Sequence, residues 1–239
     1  MFTGIVQGQF ELGRVDLSAE DYGQIGVRLP PELRKGLKQG DSIAIDGTCL
    51  TVRDLPSDLV LLDVIKSTLV RTIADSYKQG DRVNAERSLK LGSEVGGHEV
   101  SGHVDTCAVV ERIEKTQGNT CVFFRLGEKW SRYVFPQGFV AINGVSLTIS
   151  DCLEGGSLFS VWLIPETLEA TNLGDLVEGA RVNIEIHRGV QVVVDTIEES
   201  VNRFLQSALE DGKLDASLFD QLTHLQRFLT TGASSDDEK

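Results

Sequence analysis

The chain has 239 residues, 36 acidic against 23 basic, for a net charge of −13. That length allows one large domain or two of about 100 to 150 residues, each with a core of its own, and the charge repels phosphate backbones and anionic bilayers, which excludes nucleic acid and membrane as partners. Four cysteines without CxxC spacing and four scattered histidines exclude a recognisable metal-ligand cluster and fit reduced thiols in a cytoplasmic protein.

The opening Met1-Phe2-Thr3-Gly4-Ile5-Val6-Gln7-Gly8 has no basic region and no long apolar stretch, so neither a signal peptide nor an anchor is expected. Ile25, Val27 and Leu29 alternate, as a half-buried strand requires. The run Asp41-Ser42-Ile43-Ala44-Ile45-Asp46-Gly47-Thr48-Cys49-Leu50-Thr51-Val52 then returns as Gly138-Phe139-Val140-Ala141-Ile142-Asn143-Gly144-Val145-Ser146-Leu147-Thr148-Ile149, an offset of 97. Ser67-Thr68-Leu69 returns as Glu166-Thr167-Leu168, and Gly80-Asp81-Arg82-Val83-Asn84-Ala85-Glu86 as Gly179-Ala180-Arg181-Val182-Asn183-Ile184-Glu185, both at 99. Thr3-Gly4-Ile5-Val6 falls opposite Ser101-Gly102-His103-Val104 at 98. So constant an offset predicts a duplicated domain, with copies at residues 1–95 and 96–192.

Inside the second copy Val122-Phe123-Phe124 is again β-rich, between Gly118 and Gly127, and helical patterns are scarce before residue 195. Each copy therefore predicts an all-β unit closed into a small barrel, since closure removes exposed strand edges. Residues 193–232 form a helical segment. In its first helix Ile197, Val201, Phe204, Leu205, Ala208 and Leu209 share a face up to Gly212, suited to a subunit contact or to packing on a barrel, and a second helix is expected from about Ser217 to Thr230. Residues 233–239 are a polar tail that cannot offset its own ordering entropy, so disorder is expected.

The segments Met1-Phe2-Thr3-Gly4-Ile5-Val6, Gly96-Gly97-His98-Glu99-Val100-Ser101-Gly102-His103-Val104-Asp105, Gly47-Thr48-Cys49-Leu50-Thr51-Val52, Gly144-Val145-Ser146-Leu147-Thr148 and Ile164-Pro165-Glu166-Thr167-Leu168, with Thr171-Asn172-Leu173-Gly174, together resemble the riboflavin synthase family over about residues 1 to 200. The resemblance implies two tandem homologous six-stranded Greek-key barrels followed by a C-terminal helix, assembled as a homotrimer whose sites pair the N-terminal barrel of one subunit with the C-terminal barrel of its neighbour. It implies dismutation of two molecules of 6,7-dimethyl-8-ribityllumazine to riboflavin and 5-amino-6-ribitylaminopyrimidinedione, with no metal or organic cofactor. A duplicated pocket suits that chemistry, because two identical substrates must be held face to face.

A ribityl chain and a polar ring call for short donors and acceptors on a rigid scaffold. Ser42, Cys49, Thr51 and Thr68 in the first copy and Ser146, Thr148 and Thr167 in the second are such groups, although a threonine is also simply a good β-former. The resemblance adds Thr3, Gly4, Lys66, Val104 and Ile164 to the substrate-binding set. It puts Phe2, Cys49 and Ser146 beside the reacting rings and His103 in the site as a proton shuttle, a role that suits a side chain titrating near neutrality. His98 lies in the same segment and is equally readable as structural.

Departures from the family pattern concern charge. His187 stands where the family has an aspartate, Gln137 where it favours a lysine, and in the first copy Ser67-Thr68-Leu69 and Thr72-Ile73-Ala74-Asp75 replace Glu-Thr-Leu and Thr-Asn-Leu-Gly. They leave open a non-catalytic lumazine- or flavin-binding protein of the lumazine-protein type, although such proteins lack the histidines found here at 98 and 103. A flavin reductase-like enzyme would need a parallel βαβ region, which is not seen.

Overall fold

The computed structural model describes residues 1–17, 22–211, 215, 217–219, 221 and 222. The first copy folds into β1 (Gln9–Asp16), β2 (Tyr22–Arg28), α1 (Pro31–Arg34), β3 (Ser42–Ile45), β4 (Thr48–Asp54), β5 (Leu59–Ile65), α2 (Lys66–Arg71) and β6 (Arg82–Arg87). The second folds into β7 (Thr106–Lys115), β8 (Thr120–Arg125), α3 (Glu128–Ser131), β9 (Phe139–Ile142), β10 (Val145–Leu153), β11 (Leu158–Leu163), α4 (Pro165–Ala170) and β12 (Arg181–Ile186). Each is a closed antiparallel barrel of six strands, in the orders β1-β2-β5-β4-β3-β6 and β10-β11-β8-β7-β12-β9. β2 pairs with β5 rather than β3, and β8 with β11 rather than β9, so the chain crosses the barrel end at α1 and α3 in a Greek-key path.

Strand alternation decides what each face does. On β4, Leu50 and Val52 point into the first core while Cys49 and Thr51 face outward; on β10, Val145, Leu147 and Ile149 point in while Ser146 and Thr148 face out. The interiors are filled by apolar side chains such as Leu12, Ile25, Val27 and Leu62 in one barrel and Phe124, Phe159, Val161 and Ile184 in the other. A six-stranded barrel packed this way has no lumen for a ligand, so any ligand must lie on the outside.

The barrels meet through two hairpin turns. Asp46-Gly47 and Asn143-Gly144 each have positive φ at both residues, the type I′ geometry that matches strand twist. They pack backbone to backbone: a Cβ on Gly47 would lie 2.6 Å from the Gly144 nitrogen. Around them the hydrogen bonds repeat with two-fold symmetry. Asn84 N–H donates to Asp46 Oδ1 (2.8 Å) and Asn183 N–H to Asn143 Oδ1 (2.8 Å), while the side-chain amides cross over, Asn84 Nδ2 to Asn143 O (2.9 Å) and Asn183 Nδ2 to Asp46 O (2.8 Å).

One charge breaks the symmetry. Burial pushes the Asp46 carboxyl up to about 6, even though Asn84 N–H, the Tyr77 hydroxyl and Asn172 all donate to it. The unfolded carboxyl titrates near 3.9. Between about pH 4 and pH 6 the folded chain still holds this proton and the unfolded chain has released it, so stability falls as pH rises through that window, by up to about 3 kcal/mol. Asp46→Asn keeps an oxygen for Asn84 N–H, as Asn143 does for Asn183. The variant is expected to lose this slope and to melt above the parent near pH 7.5; parallel melting-temperature profiles from pH 4 to 7.5 would contradict it.

The C-terminal helix α5 (Arg188–Glu210) begins well before the change of period at Asp195, because Val190 and Val194 pack on the second core and override the β-branched run Val192-Val193-Val194. Arg132 pairs with Asp195 (2.9 Å) and Glu198, and the Tyr133 hydroxyl donates to Asp195 (2.6 Å), fixing the helix to the barrel. Of the predicted apolar face Leu205 is buried, while Ile197, Val201 and Phe204 are exposed alongside Val192 and Val193. Gly212 lies outside the described residues. Within the second predicted helix, residues 217–219 and 221–222 are helical; its remainder and the tail at 233–239 lie outside the described residues. No described helix is long and apolar enough to cross a membrane.

Candidate active site

The two copies trade their entry segments. Phe2 pairs with Val100 in a short antiparallel bridge, its N–H donating to Val100 O at 2.7 Å. Just beyond it Gly4 lies against the second barrel, where Ser146 N–H donates to Gly4 O (2.8 Å); symmetrically, Cys49 N–H of the first barrel donates to Gly102 O (2.8 Å). Each outer face is thus built from both copies.

Two buried carboxylates set these segments. Glu86, at the end of β6, accepts from Thr3 N–H (2.7 Å), Thr3 Oγ1 (2.8 Å) and Gly4 N–H (3.0 Å). Glu185, its counterpart on β12, accepts from Ser101 N–H (2.6 Å), Ser101 Oγ (2.8 Å) and Gly102 N–H (2.9 Å). Burial raises both carboxyls, and the three donors at each favour the charged form and oppose the rise. Neither glutamate was among the residues expected to form the site, although the two follow a hydroxyl-glycine pair by 83 and 84 positions.

On the first barrel the outward row runs from Ser42 to Thr51 to Asp63 across β3, β4 and β5, with Cys49 beside it under Gly102. Lys66 and Thr68 follow on α2 at the end of β5, Lys66 exposed and Thr68 half-buried. On the second barrel Thr148 stands opposite Phe139, Ser146 lies under Gly4, and Ile164 and Thr167 occupy the entry and first turns of α4. Phe139, Trp162 and Ile164 are each about half exposed on this outer side, at 49%, 47% and 55%. Thr68 and Thr167 therefore lie on short helices rather than on strands.

The predicted catalytic residues divide between the faces. Phe2 is buried on the seam with Ala44, Val100 and Ala141, and Cys49 packs against that group. His103 follows Gly102 on the Cys49 side and is exposed. Ser146 has a different imidazole: His98 Nδ1 is 2.6 Å from Ser146 Oγ, and the His98 ring stacks on Phe139 at 5.3 Å. His187 joins them, its ring centroid 5.8 Å from that of His98. Burial, and then the neighbouring His187, push His98 down to about 4, so it is a neutral base. Thr3 and Val104 are buried, the Thr3 hydroxyl engaged by Glu86, and Gln137 lies in an exposed left-handed turn at φ 66°.

A cavity of about 870 Å³ opens beside the first barrel between Ile5, Glu32, Lys35, Arg87 and Lys90, with Thr3 the one predicted site residue among its lining groups. Among the described residues no group of His, Cys, Asp and Glu side chains is placed to hold a metal ion.

Two filled barrels whose outer faces carry hydroxyl groups, on the second beside half-exposed Phe139, Trp162 and Ile164, and are each completed by a segment of the other copy define a tandem two-barrel protein. The family model for the lumazine binding domain matches twice, at residues 3–88 and 101–187. The chain is 42% identical to riboflavin synthase of Escherichia coli over 199 residues, 83% of this chain and 92% of that one, and 40% identical to riboflavin synthase of Chlamydia pneumoniae over 213 residues, 88% and 100%. In fold it is similar to LumP complexed with riboflavin, with a TM-score of 0.73 at 24% identity over 79% of this chain and 100% of that one. The chain belongs to the riboflavin synthase family.

Proposed function

We propose that the protein is a riboflavin synthase, converting two 6,7-dimethyl-8-ribityllumazine molecules to riboflavin and the ribitylaminopyrimidinedione. The observation that carries the reading is the pair of equivalent outer faces with unlike reactive groups, Cys49 on one and Ser146 with its imidazole on the other. Equivalent faces bind the same substrate, and unlike groups let the two molecules play different parts in one transfer. Ser42, Thr51, Lys66 and Thr68 hold one lumazine; Thr148, Ile164 and Thr167 hold the other. His103 serves the Cys49 face.

Dismutation requires two substrates in contact. The exposed apolar face of α5 supports assembly of three chains, in which the first barrel of one meets the second barrel of the next, and the four free cysteines support a cytoplasmic setting. Sedimentation equilibrium is expected to give a trimer; a fully active monomer of 26.1 kDa would remove the intersubunit site.

The purified protein incubated with 6,7-dimethyl-8-ribityllumazine is expected to form riboflavin without added metal or nucleotide, followed by absorbance and fluorescence. The competing reading, a lumazine-binding protein, draws on His187 in place of a carboxylate. Tight binding with no product at any protein concentration would establish it and refute the synthase.

A further inference from the structure

Glu86 and Glu185 each stand on one barrel and hold the entry segment that serves the other. Both side chains face outward, because Val83 and Ala85 on β6 and Val182, Ile184 and Ile186 on β12 take the inward positions. In strand register Glu86 lies opposite Ala44 and Ala44 opposite Cys49, while Glu185 lies opposite Ala141 and Ala141 opposite Ser146. Directly opposite residues share a face. By position, then, each glutamate belongs to the row of its own barrel's reactive group, two strands away.

The hydrogen bonds lead to the other barrel. Glu86 Oε1 accepts from the Thr3 N–H and hydroxyl, and its Oε2 accepts from Gly4 N–H, so that Gly4 is pinned at its nitrogen by the first barrel and at its carbonyl by the Ser146 N–H of the second, 2.8 Å away. Glu185 mirrors this. Its Oε1 accepts from the Ser101 N–H and hydroxyl and its Oε2 from Gly102 N–H, while the Gly102 carbonyl takes the Cys49 N–H of the first barrel at 2.8 Å. Both carboxylates are buried, so water does not stand in for a lost contact.

We infer that Glu86 and Glu185 are crossed positioning residues: Glu86 of the first barrel sets Ser146 on the second, and Glu185 of the second barrel sets Cys49 on the first. For its effect on turnover the inference rests on the synthase reading. Each acts through a glycine residue, and the second oxygen of the carboxylate is what reaches that glycine. Glutamine keeps the length of the side chain but offers one acceptor oxygen and one amide nitrogen. With the oxygen kept for Thr3 or Ser101, the nitrogen meets the glycine N–H donor to donor, and the glycine loses its anchor.

The test is amide hydrogen exchange of Ser146 and Cys49, read residue by residue by 15N NMR on the full chain in D2O. Glu86→Gln is expected to speed exchange at Ser146 by about tenfold or more and to leave Cys49 within about threefold, and Glu185→Gln to do the reverse, since a hydrogen bond to a charged group is worth at least about a factor of ten. Each variant is also expected to lose about 10- to 10²-fold in kcat with KM within about threefold, the scale of a misplaced reactive group. A same-barrel pattern, equal acceleration at both amides, no change beyond about threefold at either, or kcat within about threefold of the parent in both variants would overturn the assignment. If the glutamine variants fail to fold, Thr3→Val and Ser101→Ala delete one of the three donors at each carboxylate and carry the same crossed expectation; uniform effects or failure to fold in these as well makes the glutamates purely structural and overturns it. Amide exchange needs no turnover, so a crossed pattern in a parent that makes no riboflavin fails the synthase reading, whereas riboflavin formation with an uncrossed pattern fails the assignment alone.

Discussion

Ser146→Ala is expected to lower kcat by about 10²- to 10⁴-fold while lumazine affinity changes by no more than about threefold, the signature of a group that moves a proton rather than one that holds a ligand. The hydroxyl lies 2.6 Å from a buried imidazole kept neutral by its surroundings, and alanine deletes the link between substrate and base without disturbing Leu147 or Val145 in the core. His98→Gln is expected to fall in the same range, and combining the two should add little, because residues that act as a unit are not additive. Cys49→Ser offers the contrast, since it preserves a small hydrogen-bonding group; it is expected to retain activity within about tenfold. His103→Ala separates the two faces: exposed on the Cys49 side, it leaves the mechanism if the loss is under about threefold. Equal losses of affinity and kcat in Ser146→Ala would demote the serine to a binding contact.

The repeat made most of the architecture legible. Offsets of 97 to 99 set the two copies, and the pairing of Cys49 with Ser146 singled out the two residues that stand under the exchanged glycines. Two further signals lay in plain view. Asp46-Gly47 and Asn143-Gly144 are type I′ hairpin sequences, and Glu86 and Glu185 follow Thr3 and Ser101 by 83 and 84 positions. What the sequence hides is which copy each segment serves, because an offset records equivalence and not contact. Thr3-Gly4 matches Ser101-Gly102 by position yet touches the hairpin of the opposite barrel, and for that reason His103 and Ser146, both of the second copy, stand on different faces. His98 escaped assignment because its role depends on a hydroxyl 48 positions away. The early start of α5 was masked by β-branched residues whose burial against the second barrel outweighs their propensity.

Gly4→Ala is expected to be among the most damaging single-methyl changes in the chain, and Gly36→Ala shows why. The two glycines share a backbone conformation, φ +74° and +73°, so the left-handed penalty of about 1 kcal/mol is common to both. They differ in surroundings. At Gly36 an added Cβ meets nothing within 4 Å, whereas at Gly4 it would lie 2.6 Å from Ser146 Cβ and 2.9 Å from the Ser146 nitrogen. Overpacking of that kind costs a further 1 to 3 kcal/mol or so, here enforced by Glu86, which holds Thr3 and Gly4 by three hydrogen bonds and leaves the segment little freedom to retreat. Gly102→Ala repeats the experiment at the other face, with Cys49 Cβ at 2.6 Å and the Phe2 ring at 2.9 Å. Gly36→Ala is expected to lower the melting temperature by about 2 to 4 °C and leave kcat unchanged, while Gly4→Ala and Gly102→Ala should lose roughly twice that or more. Because the collision falls on the reactive side chains, their kcat should drop by more than their folded fraction explains. Equal melting temperatures for Gly4→Ala and Gly36→Ala would mean that the entry segment can lift away from Ser146, and that each face does not depend on the loop supplied by the other copy.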